Sequence, residues 1–317
     1  MWGFNRNLTM AAKCCGGDKM QEAPLVSIII PTYNNNPIVC QAIDCSLNQT
    51  YKNLEIIVVD DGSTDGTESL LREKYQEKII YIRQKNRGTG GARNTGIRNS
   101  SGKYLQFLDA DDLIDSDKIS MQVNQLRSTP ERALSYCDYY CCDINDMSVR
   151  YPRISPVLQK EKPFNDIMLK WETGLTIPVH CFLFDAALFR ENGIAFDEKL
   201  QANEDWECWM NVFALHPKVF FVDRAHAFYR VRNDSRCRNR VKMRKSYLAA
   251  IDKQIHLNRM NGEVLKHLHS RREQIEYLYR DAALVNRLIK RCPPLVKNIW
   301  IEIVPWRIRK RCQQLIA

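Results

Sequence analysis

The chain has 317 residues, 44% of them apolar, and a formal net charge of +10. That length suits one large α/β domain with an appendage, or two domains, and the apolar content is that of an ordinary globular protein. No run of about 18 apolar residues occurs, which excludes a sequence-predicted spanning helix. Residues 1–23 lack the apolar centre of a signal peptide, because Lys13, Gly16, Gly17, Asp18 and Lys19 interrupt them. They are expected to form a flexible leader. Without a secretion signal, the 12 cysteines are expected as reduced thiols in a cytosolic compartment. Neither Cys14-Cys15 nor Cys137 with Cys141-Cys142 has the paired C-x-x-C spacing of a zinc site. The charge is uneven: from Arg236 onward there are 20 Lys and Arg against 6 Asp and Glu, a net of +14, which leaves −4 for the rest. A mildly acidic body with a basic tail points to an anionic surface, lipid or nucleic acid, as the tail's partner.

In chain order, Leu25–Ile30 is apolar and β-branched on both faces, as in a buried parallel strand, and Pro31-Thr32-Tyr33-Asn34 ends it. Residues 38–49 have helical periodicity, and Leu54–Val59 is a second apolar strand. Asp60-Asp61-Gly62-Ser63-Thr64-Asp65-Gly66 follows, with Ser63 or Asp65 placed to cap a helix over 67–74. Residues 78–83 read as a third strand. Asn86 to Gly96 is a glycine-rich loop running into a helix. Its glycines do not follow the first strand in a G-x-G-x-x-G order, and no Gly-Lys-Ser/Thr occurs, so dinucleotide and P-loop readings fail. Strands alternating with helices at this pitch predict a parallel, doubly wound sheet.

Lys103-Tyr104-Leu105-Gln106-Phe107-Leu108 then reads as a strand that stops in Asp109-Ala110-Asp111-Asp112. Clustered acids at the carboxyl edge of an open α/β sheet lie where such folds bind ligands. Adjacent carboxylates repel unless a cation or donors sit among them, and a divalent ion holding a diphosphate answers that need. Beyond lie a helix over 117–126, a strand over 133–140, an irregular 143–162 expected as a loop or hairpin over the site, and a short helix over 165–171. A strand over 177–184 carries His180. An apolar helix to Leu215 opens with Asn203-Glu204-Asp205-Trp206, two short strands cover 219–222 and 225–231, and basic helices run from Lys242 and over 263–291. Trp300 and Trp306 among lysines and arginines in 295–317 suit a membrane interface.

Five segments in this order resemble the family 2 glycosyltransferases: Val26-Ser27-Ile28-Ile29-Ile30-Pro31-Thr32-Tyr33-Asn34, Glu55 through Asp65, Gly91-Ala92-Arg93-Asn94-Thr95-Gly96, Asp109-Ala110-Asp111-Asp112, and Glu204-Asp205-Trp206-Glu207. The resemblance covers about Val26 to Arg230, and is to bacterial-type inverting enzymes of cell-surface glycans. It implies a GT-A fold, a Rossmann-like, mainly parallel sheet flanked by helices, over residues 24–235. Residues 24–115 would be the nucleotide-sugar half, 116–235 the acceptor half, and 236–317 a basic helical extension.

The resemblance also implies roles. Pro31, Thr32 and Tyr33 would pack on base and ribose, and Asp60 would accept from the imide N–H of a uracil. Arg93 would line the nucleotide pocket, its planar fork suiting that task. Asp109 would contact ribose or metal-bound water, and Asp111 would bind Mn or Mg. Asp205 would be the general base of an inverting transfer, ionised more readily at a helix N-terminus. Glu204, His180, Arg230 and Arg232 would lie on the acceptor or diphosphate side. The donor would be a nucleotide-diphospho-sugar, a UDP-sugar by preference. The acceptor would be a glycan or lipid-linked, at a cytoplasmic membrane face met through 295–317. The family's processive Gln-x-x-Arg-Trp is absent, which argues against a polymer synthase. Two rivals stand beside this reading. A nucleic-acid binder using 236–311 has charge alone in its favour, with no recognised module. A catalytically idle sugar-nucleotide binder is opposed by the complete set of acids.

Overall fold

A computed structural model of the chain describes residues 23–279, apart from 130, 131, 145, 149, 152–156, 160, 172, 173 and 233–238. The leader, the end of the basic helix over 263–291 and the interfacial stretch 295–317 fall outside the described residues.

The apolar runs become the centre of a sheet. β1 (Val26–Thr32) is buried along its whole length and pairs in parallel with β2 (Leu54–Asp60) on one side and β4 (Tyr104–Phe107) on the other. β3 (Ile80–Arg83) adds to β2, again in parallel. α1 (Val39–Leu47), α2 (Thr67–Tyr75) and α3 (Gly88–Arg98) connect these strands. α3 lies close on β1 because Gly96 has no side chain: a Cβ there would overlap Ile29.

The expected parallel order holds for these four strands. The second half is mixed. β8 (Phe182–Asp185) runs antiparallel to both β4 and β6 (Ala133–Asp143), and β6 pairs in parallel with β9 (Lys218–Val231). The two-residue β5 (Leu113–Ile114) closes the far edge on β9, and the two-residue β7 (Arg150–Tyr151) pairs β6 as a hairpin. A strand buried on both faces reads the same in either direction, so apolarity does not reveal orientation.

Two expectations are corrected. The two short strands over 219–222 and 225–231 form one 14-residue strand. Its register against β6 shifts between Cys137 and Tyr139, so a bulge absorbs the polar residues that read as a turn. The strand over 177–184 begins only at Phe182. Pro178 starts a tight 3-10 turn over Val179–Cys181, closed by Cys181 N–H to Pro178 O at 2.9 Å, and His180 sits in that turn.

α4 (Lys118–Leu126), α5 (Pro163–Lys170), α6 (Ala187–Arg190) and α7 (Glu204–Phe213) pack on the second half. Their core is aromatic: Trp209 stacks on Phe184 at 4.7 Å and meets Phe196 edge-on at 5.8 Å. α8 (Arg240–Leu257) and α9 (Gly262–Tyr279) join the same core through Met243, Tyr247, Ile251, Leu268 and Ile275. Packing therefore continues across residue 236, where the charge balance changes. No described helix is long and apolar enough to cross a membrane.

Candidate active site

The parallel strands β1, β2 and β4 deliver their ends to one edge. Pro31 and Thr32 close β1 inside the protein, and Tyr33 follows with its ring 47% exposed. The loops after β1 and β2 are stitched together. Asn34 N–H donates to Ser63 Oγ at 2.9 Å, Thr64 N–H to Asn34 Oδ1 at 2.8 Å, and Asn36 N–H to Asp65 Oδ2 at 2.9 Å. Asp65 Oδ1 also accepts from Thr67 N–H at 3.2 Å, but the cap position of α2 is Gly66, so neither Ser63 nor Asp65 is the N-cap.

Asp60 is fully buried. Its oxygens accept from Ser63 N–H and the Tyr81 hydroxyl, each at 2.7 Å. Burial, then that bond, hold the Tyr81 phenol well above its usual range. Asp60 thus holds the loop from within. Asp61 does the same for α3, accepting from the N–H groups of Arg87 and Gly88 at 2.8 Å and from Gln84 at 2.7 Å. A carboxylate at a helix start suits the helix dipole.

Arg93 is the hinge of the arrangement. It is 2% exposed, on the face of α3 that meets the sheet edge. One guanidinium nitrogen donates to Asp109 Oδ1 at 2.7 Å and the other to Glu204 Oε1 at 3.1 Å, while the ring of Phe196 lies 5.1 Å from its centre. Burial alone would lower its basicity; the two carboxylates outweigh that and hold it charged. Arg93, expected to line a nucleotide pocket, ties the acids after β4 to the acids of α7. Asn94 beside it fixes the Phe196 segment, donating to Phe196 O and accepting from Phe196 N–H at 2.8 Å each.

Asp111 keeps about a third of its side chain exposed, at 35%. Burial, then the charges of Asp112 and Asp109, push its carboxyl up to about 7. Such a crowded carboxylate is relieved by a cation, and hard oxygen donors suit Mg²⁺ or Mn²⁺. Among the described residues no group of three or more potential ligands forms a protein cage. The chain can offer carboxylate oxygens of Asp111 and Asp109, with a diphosphate and water to complete the shell, which is the usual pattern for these ions.

Asp112 faces inward. Its Oδ1 accepts from Arg230 N–H at 2.7 Å, and His180 Nδ1 lies 3.1 Å from its Oδ2 without a hydrogen bond between them. His180 is wholly buried and stacks against Tyr229. Arg230 bonds the Asp111 carbonyl and the Gln41 side chain. Arg232 reaches Asn35 Oδ1 at 2.8 Å and lies 3.7 Å from Asp111 Oδ2. These three residues gather around the turn after β4.

Glu204 and Asp205 open α7. Glu204 is spent on Arg93, whereas Asp205 retains an exposed edge. Burial, then the charge of Glu204, push the Asp205 carboxyl up to about 7; Arg93 and a 2.7 Å bond from Trp206 N–H pull the other way and lose. The expected lowering at the helix N-terminus is present, through the Trp206 N–H, but burial and the Glu204 charge outweigh it. The site also uses residues that the sequence did not single out, Tyr81, Phe196 and Glu198. Glu198 takes both ends of the Arg87 fork, at 2.7 and 2.9 Å. None follows a motif; only the meeting of distant segments reveals them.

Solved structures of the same architecture include a mannosyltransferase of Pyrobaculum calidifontis in complex with GDP-Man and Mn²⁺. It has a TM-score of 0.59 and 20% identity, over 93% of this chain and 85% of that one. Staphylococcus aureus TarS 1-349 with UDP-GlcNAc has a TM-score of 0.57 and 20% identity, over 80% and 75%. At that identity they establish the fold, which is GT-A. The model of glycosyl transferase family 2 matches residues 27–193, and the chain belongs to that family. Relatives include an uncharacterized glycosyltransferase of Rickettsia prowazekii, 38% identical over 211 residues and 65% of each chain. Another is the glycosyltransferase GlyA of Streptococcus pneumoniae, 30% identical over 220 residues, 66% of this chain and 31% of that one. The chain thus spans just under two thirds of the Rickettsia relative and under a third of GlyA.

Proposed function

We propose that the protein is an inverting, metal-dependent glycosyltransferase that moves one sugar from a nucleotide-diphospho-sugar to a glycan or lipid-linked hydroxyl. The observation that carries this is the Arg93 bridge, which sets Asp109 and Asp111 beside Glu204 and Asp205. Family membership and nucleotide-sugar complexes of two fold neighbours support it. Tyr33 offers its exposed ring to the base. Asp111, with Asp109, would hold Mg²⁺ or Mn²⁺, whose charge would neutralise the departing diphosphate. Arg232, beside Asp111, supplies further positive charge there. Asp205 takes the proton of the acceptor hydroxyl as its oxygen attacks the anomeric carbon; the bond to the diphosphate breaks, and its electron pair leaves with the nucleotide. A base with a pKa near 7 is matched to neutral pH. A UDP-sugar is the preferred donor, although one neighbour holds UDP-GlcNAc and another GDP-Man.

Nucleotide release from a panel of UDP- and GDP-sugars, with and without Mn²⁺, tests this. Release from one donor that EDTA abolishes is expected; no release from any donor, or release indifferent to EDTA, rejects the reading. Peripheral membrane attachment through 295–317 is a separate proposal, supported by Trp300 and Trp306 among basic residues. Deleting 295–317 is expected to free the protein from anionic liposomes, and equal sedimentation with and without that stretch rejects it.

A further inference from the structure

α7 is held from two sides. Glu204, on one side, meets Arg93. On the other side Glu207, one turn further along, is completely buried. A buried carboxylate needs compensating donors. Three converge on its Oε1: Asn211 Nδ2 and Gln254 Nε2 at 3.0 Å, and Lys253 Nζ at 3.1 Å. Glu207 Oε2 has no hydrogen-bond partner. Lys253 also reaches Asp197 Oδ2 at 2.9 Å, holding that carboxyl below its usual range against the effect of burial. Asp197 follows Phe196, the ring beneath Arg93, and precedes Glu198, which binds the Arg87 fork. One ammonium on α8 therefore joins the back of the base-bearing helix to the loop under its front. Lys253 lies beyond residue 193, where the family model ends. Trp206 meets Tyr247 of α8 edge-on at 5.0 Å, so an apolar contact backs the polar one.

We propose that Lys253 is a positioning residue for sugar transfer, bracketing the start of α7 against the 196–198 loop so that Asp205 faces the anomeric carbon. This rests on the transferase reading above. Misplacing a catalytic group by about 1 Å from a distance can cost on the order of a hundredfold in rate, whereas the donor loops after β1, β2 and β4 do not touch Lys253.

The test uses the full chain with Lys253→Met, Lys253→Arg and Glu207→Gln. Amide exchange is read by mass spectrometry, and kcat, KM and nucleotide affinity with UDP-GlcNAc and GDP-mannose. Lys253→Met is expected to speed exchange in 196–208 while β1, β2 and β4 stay protected. It is expected to lower kcat about tenfold to a hundredfold, with donor KM and nucleotide affinity within about twofold of wild type. Lys253→Arg restores most of the rate. Glu207→Gln, which keeps the shape of the side chain, shows the same kcat loss and decides the matter if Lys253→Met does not fold. Unchanged exchange in 196–208, kcat within twofold in both neutral variants, or equal losses of kcat and donor affinity overturns the proposal. Asp205→Asn is measured alongside. Full activity there overturns the base assignment itself, whereas an inactive Asp205→Asn with a normal Lys253→Met overturns only the bracket.

Discussion

The two halves of the sheet solve the same problem differently. In the first half, parallel strands carry their acids at their own ends, and short loops tie those ends with bonds from backbone N–H groups to side chains of the neighbouring loop, such as Asn36 N–H to Asp65 Oδ2. On the other side the strands are mixed, and the acids of α7 owe their place to side chains from elsewhere: Arg93 of α3, Lys253 and Gln254 of α8. The first half is thus fastened within its own loops, whereas α7 is fastened by distant elements. The seam between the two is one guanidinium, that of Arg93, which holds both.

The largest effect that would expose this contrast is Asp205→Asn. Turnover is expected to fall about 10²- to 10⁴-fold, the usual contribution of a positioned general base, with nucleotide affinity by calorimetry unchanged. Comparable loss of nucleotide affinity would erase the division between halves. Arg93→Met comes next. Removing one partner of a buried ion pair costs about 3–5 kcal/mol, and the lower end is expected because Asp109 is 28% exposed. Denaturant unfolding measures it, and a cost within about 0.5 kcal/mol of zero, as for ordinary surface changes, would show that the seam is not structural.

The smallest effect is a shift in pH. A base must be ionised, so the rate rises as pH climbs through the Asp205 pKa of about 7 and levels above it. Glu204→Gln removes a charge that raises this pKa and leaves Arg93, which lowers it. The acid limb of kcat should move down by roughly one unit. A limb that moves up, or stays, would mean that Glu204 does not tune Asp205.

The donor side was largely legible in the sequence. Val26 to Ile30 and Leu54 to Val59 are buried strands because β-branched apolar residues suit a two-faced interior, although the pairing runs on past the apolar runs, through Pro31 and Thr32 and into Asp60. The Asp109 to Asp112 cluster announced itself by charge. What was not legible is long-range. Arg93 and Glu204 are 111 positions apart, and nothing local says that they pair. Asp60 was expected to meet a ligand, but its bonds to Ser63 N–H and the Tyr81 hydroxyl, 3 and 21 positions away, could not be read from the motif. α8 and α9 read as a basic appendage since their charges dominate composition, yet Tyr247, Ile251, Leu268 and Ile275 lie in the main core. His180, expected on a strand, sits in the 3-10 turn after Pro178, buried beside Asp112, because the proline delays the strand to Phe182.

The Arg93 bridge has a consequence for the birth of the molecule. Chains leave the ribosome from the N-terminus, and domains generally fold in that order. β1 to β4 and α3 can assemble before Glu204 has been made, but Arg93 then lacks one of its two anions. Lys253 arrives later still. In that order the first-half sheet precedes both fastenings of α7: Glu204 needs Arg93, and Glu207 needs Lys253 from α8.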